Sequence, residues 1–536
     1  MKVSFSKSAI AVLTFAFAIR LAATLAAPVI NLDGIFYINQ AKALVQGSIA
    51  EDLTCLLGFL SLNSILIAFV SFFLPSWIIA AKTVSLFCGW AILLSVYLIA
   101  KRFFEERICI LLLLLFSLIP VLVNSSVEII RDPVAWMFFA FALLLFIRDQ
   151  EKNSLAGLFF CGGLFLLASW ARGEFFLLYL ASGLFLLITR HPHRIRITAF
   201  LSLFAPLAIV VLLAMHVDLF SQIHQYLRKP PPIDTETAKG LLGLYGGLQE
   251  QTRVLATNLP GDGAVFALKN FLPEAANLLW LVAFGMIVTH LCEAVFYFYL
   301  PLFLTGLPLI NKAIRTDLRL RYFLWMTMVA FLLVYAQVIN VWVLEYRWLG
   351  PIILSAAIFA GYGIQRLDLA LREKLHLSPK VAAILLGGLI ILPGAAKLLR
   401  QNDNHQVIFL EIAKTIHNEQ RGNRGPVHIA ATEKIGHPRA LIAFYANLAL
   451  PQAVCINDDP IITQKDIENP TTFVAKLKNK DTQYFLIDES CKMENESGNR
   501  QLHLSQVAKQ LGEWHHNKTG KIILYRLKDV SSPLQY

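Results

Sequence analysis

Asp33-Gly34-Ile35-Phe36-Tyr37, followed by Ala41, Leu44 and Gly47, comes directly after an apolar run from about Ser8 to Ala27. A carboxylate at the mouth of a membrane helix costs a few kcal/mol if it faces lipid, so such residues face a cavity and act there. The plainer reading is a helix cap. What else the chain brings to the same side of the membrane decides between them.

Of the 536 residues, 57% are hydrophobic and 15% charged, with mean hydropathy +0.60. Soluble domains average about a quarter charged, so the composition specifies a polytopic α-helical membrane protein whose surroundings are lipids. The net charge of +11 comes from basic residues in short loops between apolar runs. That is the positive-inside pattern, not the basic face of a nucleic-acid binder. The seven cysteines form no CxxC and no zinc spacing. Cys455 and Cys491 lie in a polar tail, where a disulfide forms only if the tail is exported. No Gly-Lys-Ser/Thr follows the glycines around Gly240–Gly247, so they are loop punctuation and not a nucleotide loop.

Lys2, Lys7, an apolar run and Ala-Ala before Pro28 have the outline of a secretory signal peptide. Arg20 interrupts the run and many more spans follow, so an uncleaved first helix entering from the cytoplasm is expected, with Asp33 outside. Apolar segments follow at 53–75, 79–100, 107–124, 133–148, 154–171, 174–190 and 197–215. The basic clusters between them share the cytoplasmic side only if 53–75 does not cross. Glu51, Asp52, Ser61, Asn63, Ser64 and Ser71 fit a juxtamembrane role for it. By the same parity only one of 275–291 and 292–310 spans; 292–310 is the expected span, with 275–291 at the outer face. Spans at 322–341, 349–365 and 380–397 complete about eleven. The expected organisation is a transmembrane domain over 1–400, with outer juxtamembrane segments at 28–78 and 216–291, and an exported domain over 401–536.

That tail reads as a small α/β domain, with strands at Val427–Ala430, Tyr484–Ile487 and Ile522–Leu527 and helices at Val407–His417 and Leu502–Leu511. Asp458-Asp459-Pro460 reads as a turn. His515-His516 lacks a third metal ligand nearby and reads as surface.

The outer helix ends carry more chemistry. Glu128, Arg131 and Asp132 share one broad face if their segment is helical, and Pro133 then opens the next helix. Arg172-Gly173-Glu174 and Glu345-Tyr346-Arg347-Trp348 fall on the same side. Interfacial salt bridges, caps and an aromatic belt are one account of them. The other is a lipid phosphate held by the planar forks of Arg131, Arg172 and Arg347.

Asp33-xxx-Tyr37-xxx-Ala41, a juxtamembrane segment, Arg131-Asp132-Pro133, Arg172-Gly173-Glu174 and Arg347-Trp348-Leu349-Gly350-Pro351 occur in an order that resembles the GT-C glycosyltransferases. The protein O-mannosyltransferase and lipid A aminoarabinose transferase group is the nearest in pattern. The resemblance covers roughly residues 8–400 and implies transfer of a sugar from a polyprenyl-phosphate carrier to an extracytoplasmic lipid, glycan or protein. It implies Asp33 as general base and Asp132 as the acid of the next outer loop. Several relatives have Asp-Glu where this chain has Asp33-Gly34, which puts a second carboxylate beside Asp33 in doubt.

The residues suit that chemistry. A carboxylate deprotonates the acceptor hydroxyl while fixed cations stabilise the departing phosphate. Arg131, Arg172 and Arg347, with Tyr37 and Tyr346, are the candidate phosphate-binding set; Glu128, Glu174 and Glu345 are secondary candidates. Asp33 and Asp132 could instead hold a divalent cation, Mg or Mn, with the same electrostatic role. The alternative function is a transporter or flippase for a polyprenyl-linked glycan, which would show repeats and interrupted helices at mid-membrane. Short loops and an exported tail suit a bacterial inner membrane and a role in the cell envelope.

Overall fold

The structure is a computed structural model and describes residues 5–48, 59–152, 154–189, 193–216, 243–258, 264–399, 406–420, 425–450, 454, 459–463, 466, 473, 475–477, 482–488, 508–516 and 520–527. The Pro230–Pro232 turn, Glu51-Asp52, Asp458, Cys455 and Cys491 lie outside the described residues.

Two compact units emerge. The first comprises residues 1–23, 85–127 and 131–400, the second residues 24–84, 128–130 and 401–536.

The first unit is a bundle of apolar helices. Among the described residues, Lys7–Ala26, Trp77–Ala100, Arg196–Leu213, Leu318–Val341 and Pro379–Leu398 are each long and apolar enough to cross a membrane. Three bent pairs raise the number to eight if each pair is one span. Lys7–Ala26, at 20 residues, reaches about 30 Å, the thickness of the hydrocarbon layer. Arg20 inside it is fully buried, donating to the carbonyls of Ala16 and Ser117 and to Ser126 Oγ. That is how the helix carries a cation that interrupts its apolar run.

The expected 107–124 span is Glu106–Leu118 and Pro120–Val127, bent by 55°. Pro120 explains the break: it has no N–H to donate and forces the residue before it out of the α region. Ile119 accordingly sits at φ −61°, ψ 119°. The second helix ends at Val127, and residues 128–131 are not helical. The condition for Glu128, Arg131 and Asp132 to share a helical face is therefore not met; Asp132 starts the helix Asp132–Lys152, with Pro133 in its first turn.

A second correction concerns 292–310. The continuous helix in this region is Leu279–Val295, and the expected span dissolves into Tyr297–Tyr299, Leu300–Thr305 and Leu307–Ile314. Phe296, at φ 75°, leaves the helical region and stops the first helix. Pro301 and Pro308 then each start a short new helix.

In the second unit, Leu62–Ser71 has ten residues, about 15 Å, half the length a span requires. Ser61 caps it by accepting from the Asn63 N–H. Leu32–Gln46 ends at Gly47, whose φ of 74° is the left-handed turn that glycine supplies at a helix C-terminus. This helix packs on the tail: Lys42 Nζ donates to Leu450 O at 3.0 Å and Asn39 Nδ2 to Val454 O at 3.2 Å. Tyr445 receives the Ile30 N–H on its hydroxyl at 2.9 Å.

The tail sheet has five strands, β1 (Ile429–Thr432), β2 (Ile461–Ile462), β3 (Tyr484–Asp488), β4 (Ala508–His516) and β5 (Gly520–Leu527), in the order β2-β1-β3-β5-β4. β1 runs parallel to β2 and β3, and β5 antiparallel to β3 and β4. The helix Val407–Glu419 accompanies it. The helix expected over Leu502–Leu511 gives way to strand from Ala508, because its backbone pairs along β5 with an irregularity between Gln510 and Gly512. Residues 502–507 lie outside the described residues. Asp459 does more than turn the chain: its carboxylate faces His428 Nδ1 at 2.7 Å and accepts the Ile429 N–H at 3.1 Å.

Candidate active site

Three short segments of the helical unit build a buried ionic cluster. Asp132, the first residue of Asp132–Lys152, is 1% exposed. Arg172 is 5% exposed and ends the helix Leu155–Ala171 in an extended conformation, and Glu174 precedes the next helix, Phe175–Ile188. Arg172-Gly173-Glu174 is thus the whole link of a helical hairpin, and its first helix packs along Asp132–Lys152. Arg172 Nη1 donates to Asp132 Oδ1, and Nε lies 2.5 Å from Glu174 Oε1, an ion pair not aligned as a hydrogen bond. Burial pulls the guanidinium down, but the Asp132 and Glu174 carboxylates more than reverse this and leave its pKa raised.

Arg347 sits on the turn Tyr346–Leu349 and pairs with Glu345, which precedes it. Its charge is felt by both Asp132 and Arg172. A glycine brings it there. A Cβ on Gly350 would stand 2.1 Å from the Trp136 ring, so only glycine lets this backbone close on the helix that Asp132 begins. Arg347 keeps about a quarter of its side chain exposed, and its partner Glu345 more. Arg131 is half-buried, beside Asp132 in sequence. The Tyr346 hydroxyl donates to Glu293 on Leu279–Val295. The same carboxylate accepts from Tyr297 at 2.8 Å. Glu293 had no signal in the sequence, because nothing in an apolar run marks which glutamate a distant turn will meet.

Asp33 and Tyr37 lie in the other compact unit, on Leu32–Gln46. Asp33 is in the first turn of that helix, and the N-cap position is Asn31. Tyr37 is buried. Glu128 is exposed. Gly34 explains the departure from Asp-Glu. A Cβ there would stand 2.9 Å from Ile129 Cβ, so a glutamate does not fit.

Among the described residues no group of three or more His, Cys, Asp or Glu side chains is placed to hold a metal. Asp132 carries its own counter-cation in Arg172, and a divalent ion beside it would be repelled by that fixed charge. Asp132 as placed does not suit a metal.

Apolar helices, one pair of them broken at Pro120, a buried acid–arginine pair at helix ends and a small mixed sheet make up an integral membrane protein whose fold matches solved GT-C enzymes. Residues 61–217 match a family described as dolichyl-phosphate-mannose-protein mannosyltransferase. The solved oligosaccharyltransferase of Archaeoglobus fulgidus, in its apo form, superposes with TM-score 0.56 at 12% identity, covering 98% of this chain and 75% of that one. The ArnT of Cupriavidus metallidurans superposes with TM-score 0.55 at 13% identity in the apo state, covering 97% of this chain and 98% of that one. Its complex with undecaprenyl phosphate gives TM-score 0.54 at 12% identity, covering 98% and 99%. No curated protein matches the sequence.

Proposed function

We propose that the chain transfers a sugar from a polyprenyl-phosphate carrier to a lipid, glycan or protein acceptor on the extracytoplasmic face, in a bacterial inner membrane. The observation that carries this reading is the Asp132–Arg172–Glu174 cluster with the more exposed Arg347 in electrostatic reach of it. One guanidinium group, that of Arg172, is held there by two carboxylates before any ligand arrives. Cations held rigidly where negative charge develops stabilise a departing phosphate without reorganising at the moment of reaction. In this reading Arg172 is the fixed cation and Arg347 the one that turns from Glu345 to the phosphate. Arg131 lends charge, and Asp132 holds Arg172 in place.

Asp33 is the proposed general base, taking the proton of the acceptor hydroxyl as the sugar–phosphate bond breaks. The pieces of the 279–314 region, broken at Phe296, lie in the same unit as the cluster. In this reading the helical unit spans the membrane and the domain over 401–536 is extracytoplasmic.

The experiment is direct. Purified protein given an undecaprenyl-phosphate sugar and a panel of envelope acceptors should release undecaprenyl phosphate in proportion to acceptor glycosylated. Movement of the intact lipid-linked sugar across proteoliposomes without release would replace the transferase with a flippase.

A further inference from the structure

Asn31 stands at the N-cap of the helix carrying Asp33, yet its side chain makes no capping hydrogen bond. Asparagine is among the best residues for that task, so its amide is engaged elsewhere. It faces the backbone of Ile129. Asn31 Oδ1 accepts the Ile129 N–H at 2.9 Å, and Asn31 Nδ2 donates to the Ile129 carbonyl at 3.3 Å. One side-chain amide thereby satisfies both backbone groups of one residue, as a neighbouring strand would.

Gly34 makes the second contact. Its Cα approaches Ile129 so closely that a Cβ would lie 2.9 Å from Ile129 Cβ and 3.2 Å from Asn31 Oδ1. The Gly34 N–H donates to the Asn31 carbonyl at 3.1 Å, closing the turn between them. Ile129 itself is buried. Residues 31 and 34 therefore both fasten to one residue, and Asp33 is bracketed between the two fastenings. All of these residues belong to a single compact unit.

We propose that Asn31 is a positioning residue for Asp33: its reciprocal amide bonds to Ile129, with the Gly34 contact, hold the first helical turn so that the Asp33 carboxylate is presented in one orientation. The inference rests on the reading of Asp33 as general base. It adds a reason for glycine at position 34: the close approach that orders Asp33 leaves no room for a second acid beside it. Base catalysis depends on hydrogen-bond geometry as well as on protonation state, so loosening the turn lowers the chemical step without removing the base.

The test uses the full-length protein in detergent, with Asn31→Ala, Asn31→Asp and Asp33→Asn. Hydrogen–deuterium exchange reads the latch without reference to activity. In Asn31→Ala the amides of 128–130 and of the first turn after Asn31 should exchange faster, and the helix 132–152 should not change. Asn31→Asp keeps the acceptor for the Ile129 N–H and loses the donor, so it should restore protection at Ile129. Transfer from an undecaprenyl-phosphate sugar should fall roughly tenfold in kcat in Asn31→Ala, with donor KM unchanged. Combined with Asp33→Asn, the Asn31→Ala change should lower the rate no further. Wild-type exchange at 128–130 in Asn31→Ala would overturn the latch. Faster exchange with an unchanged kcat, while Asp33→Asn is impaired, would overturn the positioning role and leave the function standing. A wild-type rate in Asp33→Asn would overturn the general base itself, and with it any role for Asn31 in catalysis.

Discussion

Asp132→Asn is the perturbation that most directly tests the buried cluster. The substitution keeps size and removes the charge opposite Arg172, whose side chain is 6% exposed. Removing one partner of a buried ion pair costs about 3–5 kcal/mol, because the remaining charge stays buried without compensation. Glu174 remains 2.5 Å from Arg172 Nε, with its own side chain 35% exposed, so the lower end, about 3 kcal/mol, applies. Where inactivation is limited by unfolding, that corresponds to roughly a hundredfold shorter half-life. The assay is the decay of the monodisperse fraction in detergent at fixed temperature, followed by size-exclusion chromatography. Glu174→Gln is the control; its partner keeps Asp132 and the site is partly solvated, so the cost should stay below about 1 kcal/mol. A half-life for Asp132→Asn within twofold of wild type, or one longer than that of Glu174→Gln, would refute the claim that Asp132 anchors Arg172.

Asp33→Asn keeps the shape of the side chain and removes its basicity, so transfer should fall about 100- to 10,000-fold; steady-state rates with the undecaprenyl-phosphate sugar check it. Arg347→Lys keeps charge but loses the two-pronged geometry, and donor KM should rise while expression and monodispersity hold; equal donor KM in Arg347→Lys and Arg347→Ala as in wild type would remove Arg347 from the site. In the tail, a hydrogen bond from Lys476 and others from Thr463 hold the Asp466 carboxyl down at about 2. A depressed carboxylate stabilises the fold above its unfolded pKa, about 3.9, and loses that contribution as pH falls through the folded value. Lys476→Met should therefore be less thermally stable than wild type at neutral pH, with the difference closing toward pH 2. A difference constant with pH would count against this pair.

Much of the architecture was legible because it is local. Twenty apolar residues in lipid have one way to satisfy their backbone groups, so Lys7–Ala26, Trp77–Ala100 and Pro379–Leu399 fall close to where the apolar runs lie. The tail strands at β1, β3 and β5 were legible for the same reason: short runs of β-branched and aromatic residues between polar ones. A juxtamembrane role for 53–75 was legible from charge parity and its polar residues, while the ten-residue length of Leu62–Ser71 came only with the structure.

What the chain alone did not disclose depends on partners distant in sequence. Hydropathy identified 292–310 as apolar without revealing that Phe296 would leave the helical region and hand continuity to Leu279–Val295. Arg172 was visible as an arginine in need of a partner, and Glu174, two residues on, was the acid near enough in sequence to serve. Packing between two helices chose Asp132, 40 residues away. The Asn31 amide goes to a backbone 98 residues on, a partner that no local pattern names. The sequence by itself determined which segments are apolar, which are helical or extended, and where charge is retained at helix ends, since these follow from the solvation of each residue and its neighbours. Only the tertiary structure decided which charges meet, which backbone groups a side chain satisfies and where glycine is indispensable, because those depend on distances between elements that no local pattern encodes.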